Sequence, residues 1–233
     1  MHDAHFHFSQ NLFKSFQENH LMGICNIENE EEHTLVQGYL QEYPCHTSYG
    51  IHPWHVDTVK YASFFPYLEQ TRIIGEIGLD NTWCETNLNL QKEVFEKQLA
   101  YAHEHHKPVI LHLKGMEKEA LPFLKKYKNT YLVHWYSCKE YLEEYINLGC
   151  YFTVGPSVGI DESVSHLVQK VDIQRLLIES DGISALEWAF ETKEVDYISS
   201  LQRSIQEISR IKGMESAFVE KQLDQNFIRF IES

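Results

Sequence analysis

The chain has 233 residues, 43% of them apolar, and sets 20 Lys and Arg against 34 Asp and Glu for a formal net charge of −14. That length fits one α/β barrel running as a single domain over residues 1–233, with enough apolar content for a large core. The negative field excludes stable binding to duplex DNA, but not a small or single-stranded phosphate substrate gripped by cations in a pocket.

Short β-branched or aromatic runs alternate with longer amphipathic stretches, the signature of βα units around a parallel sheet. In chain order the predicted strands are Ala4–Phe8, Met22–Ile27, Thr47–Ile51, Ile73–Gly78, Val109–Leu113, Tyr131–Trp135, Tyr151–Val154 and Leu176–Glu179. Between them the pattern predicts helices over Glu30–Glu42, Val59–Gln70, Leu88–His106, Met116–Tyr127, Lys139–Leu148 and Glu162–Val171. The clearest is Leu88–His106, where Leu90, Val94, Phe95, Leu99 and Ala102 form one apolar stripe before Lys107–Pro108 ends it. Val195–Lys212 and Glu215–Ile231 read as closing helices, the extra one packing across the barrel. The fold class is therefore a TIM (β/α)8-type barrel, with a doubly wound open sheet as the structural alternative.

The five cysteines, Cys25, Cys45, Cys84, Cys138 and Cys150, are scattered and lack a CxxC pair, which suits reduced thiols in a cytoplasmic protein. The N-terminus MHDAHFHF has neither a basic n-region nor an apolar h-region, and no stretch approaches the ~18 apolar residues needed to span a bilayer. The expectation is a soluble chain without membrane partners, a monomer or weak oligomer.

Chemistry concentrates where the strands end. His5 and His7 flank Phe6, and alternation along a strand projects both imidazoles into the barrel while Phe6 faces the helices. Glu76 interrupts the apolar, glycine-rich IIGEIGLD, where an unpaired carboxylate would cost several kcal/mol unless a cation lay beside it. His112 follows PVIL, His134 follows TYLV, and Asp181 follows LLIES. Any one of these reads equally as a satisfied core residue. Six at the ends of five strands point instead to a site at the barrel mouth, with imidazole and carboxylate donors suited to two divalent cations such as Zn, Mn or Mg and Glu76 bridging them.

At this point the chain resembles the TatD family of metal-dependent deoxyribonucleases in the amidohydrolase superfamily. The likeness runs through DAHFHF, GIHPWH, GEIGLD, QKEVFEKQLAYAHEHHKPVILH, VHWYS, YFTVGPS and IESDG, in the family's order. It implies that His5, His7, Glu76, His112, His134 and Asp181 match the family's metal ligands, and that Asp181 also handles the proton of the attacking water. Departures surround the ligands. Lys114 stands where the family commonly has arginine, exchanging a bidentate fork for a point charge. Ser180-Asp181-Gly182-Ile183 replaces a threonine–aspartate–serine–proline segment, and Trp135-Tyr136 replaces cysteine–phenylalanine.

His52, Trp54, Lys114 and Trp135 are the candidate substrate contacts, with Trp54, Trp83 and Trp135 able to stack on a base or simply to wall a pocket. Asp80 is placed either to orient a ligand histidine or to pair with Lys114. The Glu28–Glu32 cluster reads as a solvated helix start, and His103, His105 and His106 as late-turn complements to a helix dipole. The reaction expected is hydrolysis by metal-activated water, with Asp181 and Glu76 in catalytic roles, on a single-stranded DNA end or small phosphodiester. A small-molecule amidohydrolase acting on a C–N or lactone bond is the alternative, and a non-catalytic metal-binding protein is the third.

Overall fold

The computed structural model describes residues 1–42 and 45–233. Eight parallel strands lie in one sheet in chain order: β1 (His2–His7), β2 (Met22–Ile27), β3 (His46–Tyr49), β4 (Ile73–Asp80), β5 (Val109–Lys114), β6 (Tyr131–Val133), β7 (Tyr151–Val154) and β8 (Leu176–Ile178). The helices between them are α1 (Gln10–Asn19), α2 (Glu30–Leu40), α3 (Tyr61–Gln70), α4 (Leu88–Glu104), α5 (Glu117–Lys126), α6 (Leu142–Asn147) and α7 (Glu162–Lys170), followed by α8 (Ile183–Phe190), α9 (Tyr197–Lys212) and α10 (Ser216–Glu232). The sheet curls into a nearly closed barrel rather than an open doubly wound sheet. Two helices escaped the sequence reading. α1 is polar over most of its length but buries Leu12, Phe13 and Phe16, and α8 is a short helix that follows directly on the last strand.

The seam between β8 and β1 is stitched largely by side chains. Asp181 N donates to His5 O at 3.1 Å, Ser180 N to Asp3 Oδ1 at 3.0 Å and Ile178 N to His2 Nε2 at 3.3 Å. Asp3, fully buried, also accepts from Ser180 Oγ at 2.5 Å and from Tyr197 Oη of α9 at 2.7 Å. Burial pushes its carboxyl up to about 7 against the opposing pull of those hydrogen bonds.

Two apolar layers result. Phe6, Ile27, Leu79, Leu111, Val133 and Ile178 pack outward against the helices. Ala4, Ile24, Ile73, Ile110, Leu132 and Leu177 fill the barrel floor, closed from below by Phe227 and Phe230 of α10. The last helix thus packs across the barrel, and Asn226 fixes it by donating to Ile173 O at 2.7 Å and Leu176 O at 2.8 Å. With the N-terminal end plugged, the polar groups collect at the opposite end, where barrel enzymes build their sites. No helix among the described residues is long and apolar enough to cross a membrane.

Candidate metal centre

Strand register assembles the centre. In β4 and β5, Gly78 pairs with His112 and Asp80 with Lys114. Because side chains alternate, Glu76, Gly78 and Asp80 share one face, and the two carboxylates bracket the imidazole across the ladder. His112 Nδ1 lies 2.7 Å from Glu76 Oε1, and its Nε2 lies 2.9 Å from Asp80 Oδ2. Only glycine fits between them, since a Cβ on Gly78 would fall 1.7 Å from His112 O. Asp80 therefore orients a histidine; it does not pair with Lys114, whose Nζ donates to Trp135 O at 2.6 Å.

Glu76, 1% exposed, is the hub. Its carboxylate lies 3.2 Å from His5 Nε2, 3.1 Å from His134 Nε2, 3.5 Å from His7 Nε2 and 3.7 Å from His52 Nε2. Asp181 Oδ1 lies 3.4 Å from both His5 Nε2 and His7 Nε2. The register shift in β1 between Asp3 and Phe6 lets Ala4 join the floor while His5 and His7 both turn toward the cage. All six expected ligands meet here, and three-residue groups able to hold a cation are His5–Glu76–His134, His5–His7–Asp181, His52–Glu76–His112 and His7–Glu28–Glu76.

The donor set fits a divalent cation. His5 Nδ1, His5 Nε2 and Asp181 Oδ1 are buried without a hydrogen-bond partner, a cost that an ion would remove at the two atoms facing the cage. Nitrogen and oxygen donors without thiolate match zinc, manganese or magnesium. Burial works to raise Glu76, but the surrounding imidazoles of His134, His5, His52 and His112 overcome it and hold the carboxyl well below its ordinary range. Asp181 is likewise ionised: burial opposes the charge and the contacts with His5 and His7 prevail.

A second ring of carboxylates orients the imidazoles. Glu179, fully buried, lies 3.3 Å from His134 Nδ1. Glu28 lies 3.7 Å from His7 Nδ1 and 3.1 Å from His55 Nε2, and accepts from Asn26 Nδ2 at 3.1 Å. The solvated reading of Glu28–Glu32 is thus corrected for Glu28, which directly follows β2 and is buried facing the cage. Glu30, Glu31 and Glu32 do form the first turn of α2. Burial works against the Glu28 charge, but His52, His55 and His7 bring its pKa down to about 2. Sequence reasoning passed over Glu28 and Glu179, although both end apolar runs as Asp181 does, and Glu179 shares the parity of Asp181.

His52 is buried beside His112, with ring centroids 4.3 Å apart, and its Nδ1 accepts from Trp54 N at 3.2 Å. Burial and the neighbouring His112 hold its pKa below the ordinary value. Trp135 (φ 36°) and Asp181 (φ 60°) both take left-handed backbone, which for residues other than glycine is strain of the kind that gathers at functional sites. A cavity of about 320 Å³ opens above the cage, with His112, His134 and Asp181 at its base, Lys114 to one side and Trp54, Trp83, Trp135 and Trp188 around it.

A family model described as TatD related DNase matches residues 2–232. The chain belongs to the TatD family. An uncharacterized metal-dependent hydrolase of Methanocaldococcus jannaschii is 30% identical over 161 residues, 67% of this chain and 61% of that protein, so the chain spans about three fifths of that relative's length. The human 3'-5' RNA nuclease TATDN2 is 27% identical over 117 residues, 46% of this chain but only 15% of that protein. Among solved structures, the TatD homolog YjjV of Escherichia coli superposes with a TM-score of 0.82 over 100% of this chain and 98% of that one, at 19% identity, a likeness of fold. TatD membership agrees with the barrel.

Proposed function

We propose that this TatD-family chain is a metal-dependent hydrolase that cleaves phosphodiester bonds, at a single-stranded DNA end or in a small phosphodiester, using two divalent cations held by His5, His7, Glu76, His112, His134 and Asp181. The observation that carries this reading is the convergence of four imidazoles and two ionised carboxylates from distant strands onto the base of one open cavity. Family membership supports it, and the nuclease named among the relatives favours a phosphodiester over other esters.

Bound divalent cations supply Lewis acidity and acidify water. The residues supply the rest. Glu76 lies between the imidazoles of β1 and those of His112 and His134, so one carboxylate serves both halves of the cage. Asp181, ionised and at the cavity base, accepts the proton of the attacking water. Lys114 would donate to phosphate oxygens from the cavity wall and Trp54 and Trp135 would bound the substrate, whereas His52, buried beside His112, lies outside the cavity lining and would act from behind that ligand. The net charge of −14 restricts the substrate to what the cage itself can hold.

The test is a panel of single-stranded DNA ends, phosphodiesters, amides and lactones with Mg²⁺, Mn²⁺ or Zn²⁺ after chelation. Metal-dependent phosphodiester cleavage is expected, abolished in His112→Ala and Asp181→Asn with circular dichroism unchanged. Undiminished turnover in both purified variants would refute the assignment, and turnover confined to amides or lactones would make the chain a small-molecule amidohydrolase.

A further inference from the structure

All four tryptophans of the chain surround one cavity, although they come from four separate segments. Trp54 follows β3, Trp83 follows β4, Trp135 follows β6, and Trp188 lies on α8. Two are fixed. Trp54 Nε1 donates to Asp80 Oδ2 at 2.7 Å, and Trp135 Nε1 donates to Ser157 Oγ at 2.9 Å. The Trp135 ring also lies against Gly155, where a Cβ would come within 2.7 Å of it. The other two are the free edges of the rim: Trp83 is 59% and Trp188 61% exposed. They meet edge-to-face with centroids 6.1 Å apart, and Trp188 meets Trp135 in the same manner at 5.9 Å.

A contiguous run of indoles, as exposed Trp83 and Trp188 make with Trp135, marks a contact surface. The geometry points to a recess in which Trp83 and Trp188 close on the unpaired base of a terminal nucleotide while its phosphate rests on the metal cage. This inference rests on the phosphodiesterase reading above and names what the substrate must carry: a planar ring about one sugar away from the bond cleaved. Several features select that occupant. Indole faces stack on any heteroaromatic ring irrespective of sequence. A volume of about 320 Å³ accommodates one nucleotide rather than a duplex end. Lys114 lines the cavity beside the cage, and the net charge of −14 disfavours an extended hold on a longer polyanion. Trp188 acts as a specificity-determining residue and Trp83 as its partner.

The experiment compares a single-stranded oligonucleotide ending in an ordinary nucleotide with the same strand ending in an abasic residue, for the wild type, Trp188→Ala, Trp188→Phe and Trp83→Ala. Stacking of one base predicts a KM about tenfold higher for the abasic end in the wild type, with kcat little changed. Trp188→Ala should raise KM for the base-bearing end by a similar factor and leave the abasic end untouched, while Trp188→Phe restores most of the loss. Equal effects on both ends, or none on either, would overturn the recess. A binding arm does not depend on turnover: adenosine 5'-monophosphate should quench the tryptophan fluorescence of the metal-loaded protein at concentrations where ribose 5-phosphate does not. If no oligonucleotide is cleaved yet this preference holds, the phosphodiesterase reading fails and the recess stands. If oligonucleotides are cleaved and the two ligands bind alike, the recess fails alone.

Discussion

Glu28→Gln keeps the shape of a buried side chain while removing the charge that faces His7 Nδ1 and His55 Nε2. Its effect should fall on metal rather than on fold: affinity weakened by about 10- to 100-fold, the range for outer-ring carboxylates. Competition against a chelator measures that, and an unchanged affinity would leave Glu28 a purely structural residue. At this scale Glu76, His112, His134 and Asp181 were legible as residues of the cage because each interrupts or ends an apolar run, where an unpaired polar group would be costly, and His5 and His7 because they alternate around Phe6. Glu28 carried the same signal but stands at the head of an acidic run, and its neighbours Glu30 and Glu31 masked it. Asp80 illustrates a different limit. Which of two partners it takes depends on the β4–β5 register, and a single strand's sequence does not contain its neighbour's offset. Trp188 escaped notice for a similar reason, since only the course of α8 brings it to the mouth.

The pairing of β4 with β5 is the element on which the centre depends, and Gly78 tests it. Gly78→Ala would drive a Cβ into His112 O, displacing either strand. The expected cost is about 1–3 kcal/mol or more in a denaturant titration, as for other overpacked sites, together with weaker metal binding because His112 moves. A variant as stable as the wild type would show that the strands can separate without penalty. Strand existence and order were readable from alternation of apolar runs with amphipathic stretches, but ends were not. β6 stops at Val133 although the strand expected from the sequence reaches Trp135, because Trp135 turns left-handed. One backbone bond, His134 N to Leu111 O at 3.0 Å, still ties His134 to the ladder. Of the helices, α1 stayed hidden because its buried face is only Leu12, Phe13 and Phe16 amid polar residues.

For the whole molecule, closure is as important as the cage, and His2 joins three distant parts. Its Nε2 accepts from Ile178 N in β8, while its Nδ1 lies 2.7 Å from Asp224 of α10. Burial holds its pKa below the ordinary value despite Asp224. Protonation therefore favours the unfolded chain. The stability that His2 contributes is complete above its ordinary pKa of about 6.5 and is lost as pH falls below it. Urea midpoints at about pH 5.5 and 7.5 should differ in that direction more for the wild type than for His2→Gln, the comparison cancelling other groups. Equal pH dependence would remove His2 from the account. The barrel itself, its plugged floor and its open mouth followed from length and patterning, whereas closure through His2 and Asp3 did not, since side-chain bonds across a seam leave no periodic trace.

The cage at the mouth is predicted to bind divalent cations through these residues. Crystals grown with Mn²⁺ and measured for anomalous scattering test it most directly. Two peaks are predicted within the cage, where His5, His7, Glu76, His112, His134 and Asp181 would hold the ions. Full metal loading with peaks elsewhere, or none in the cage, would contradict it.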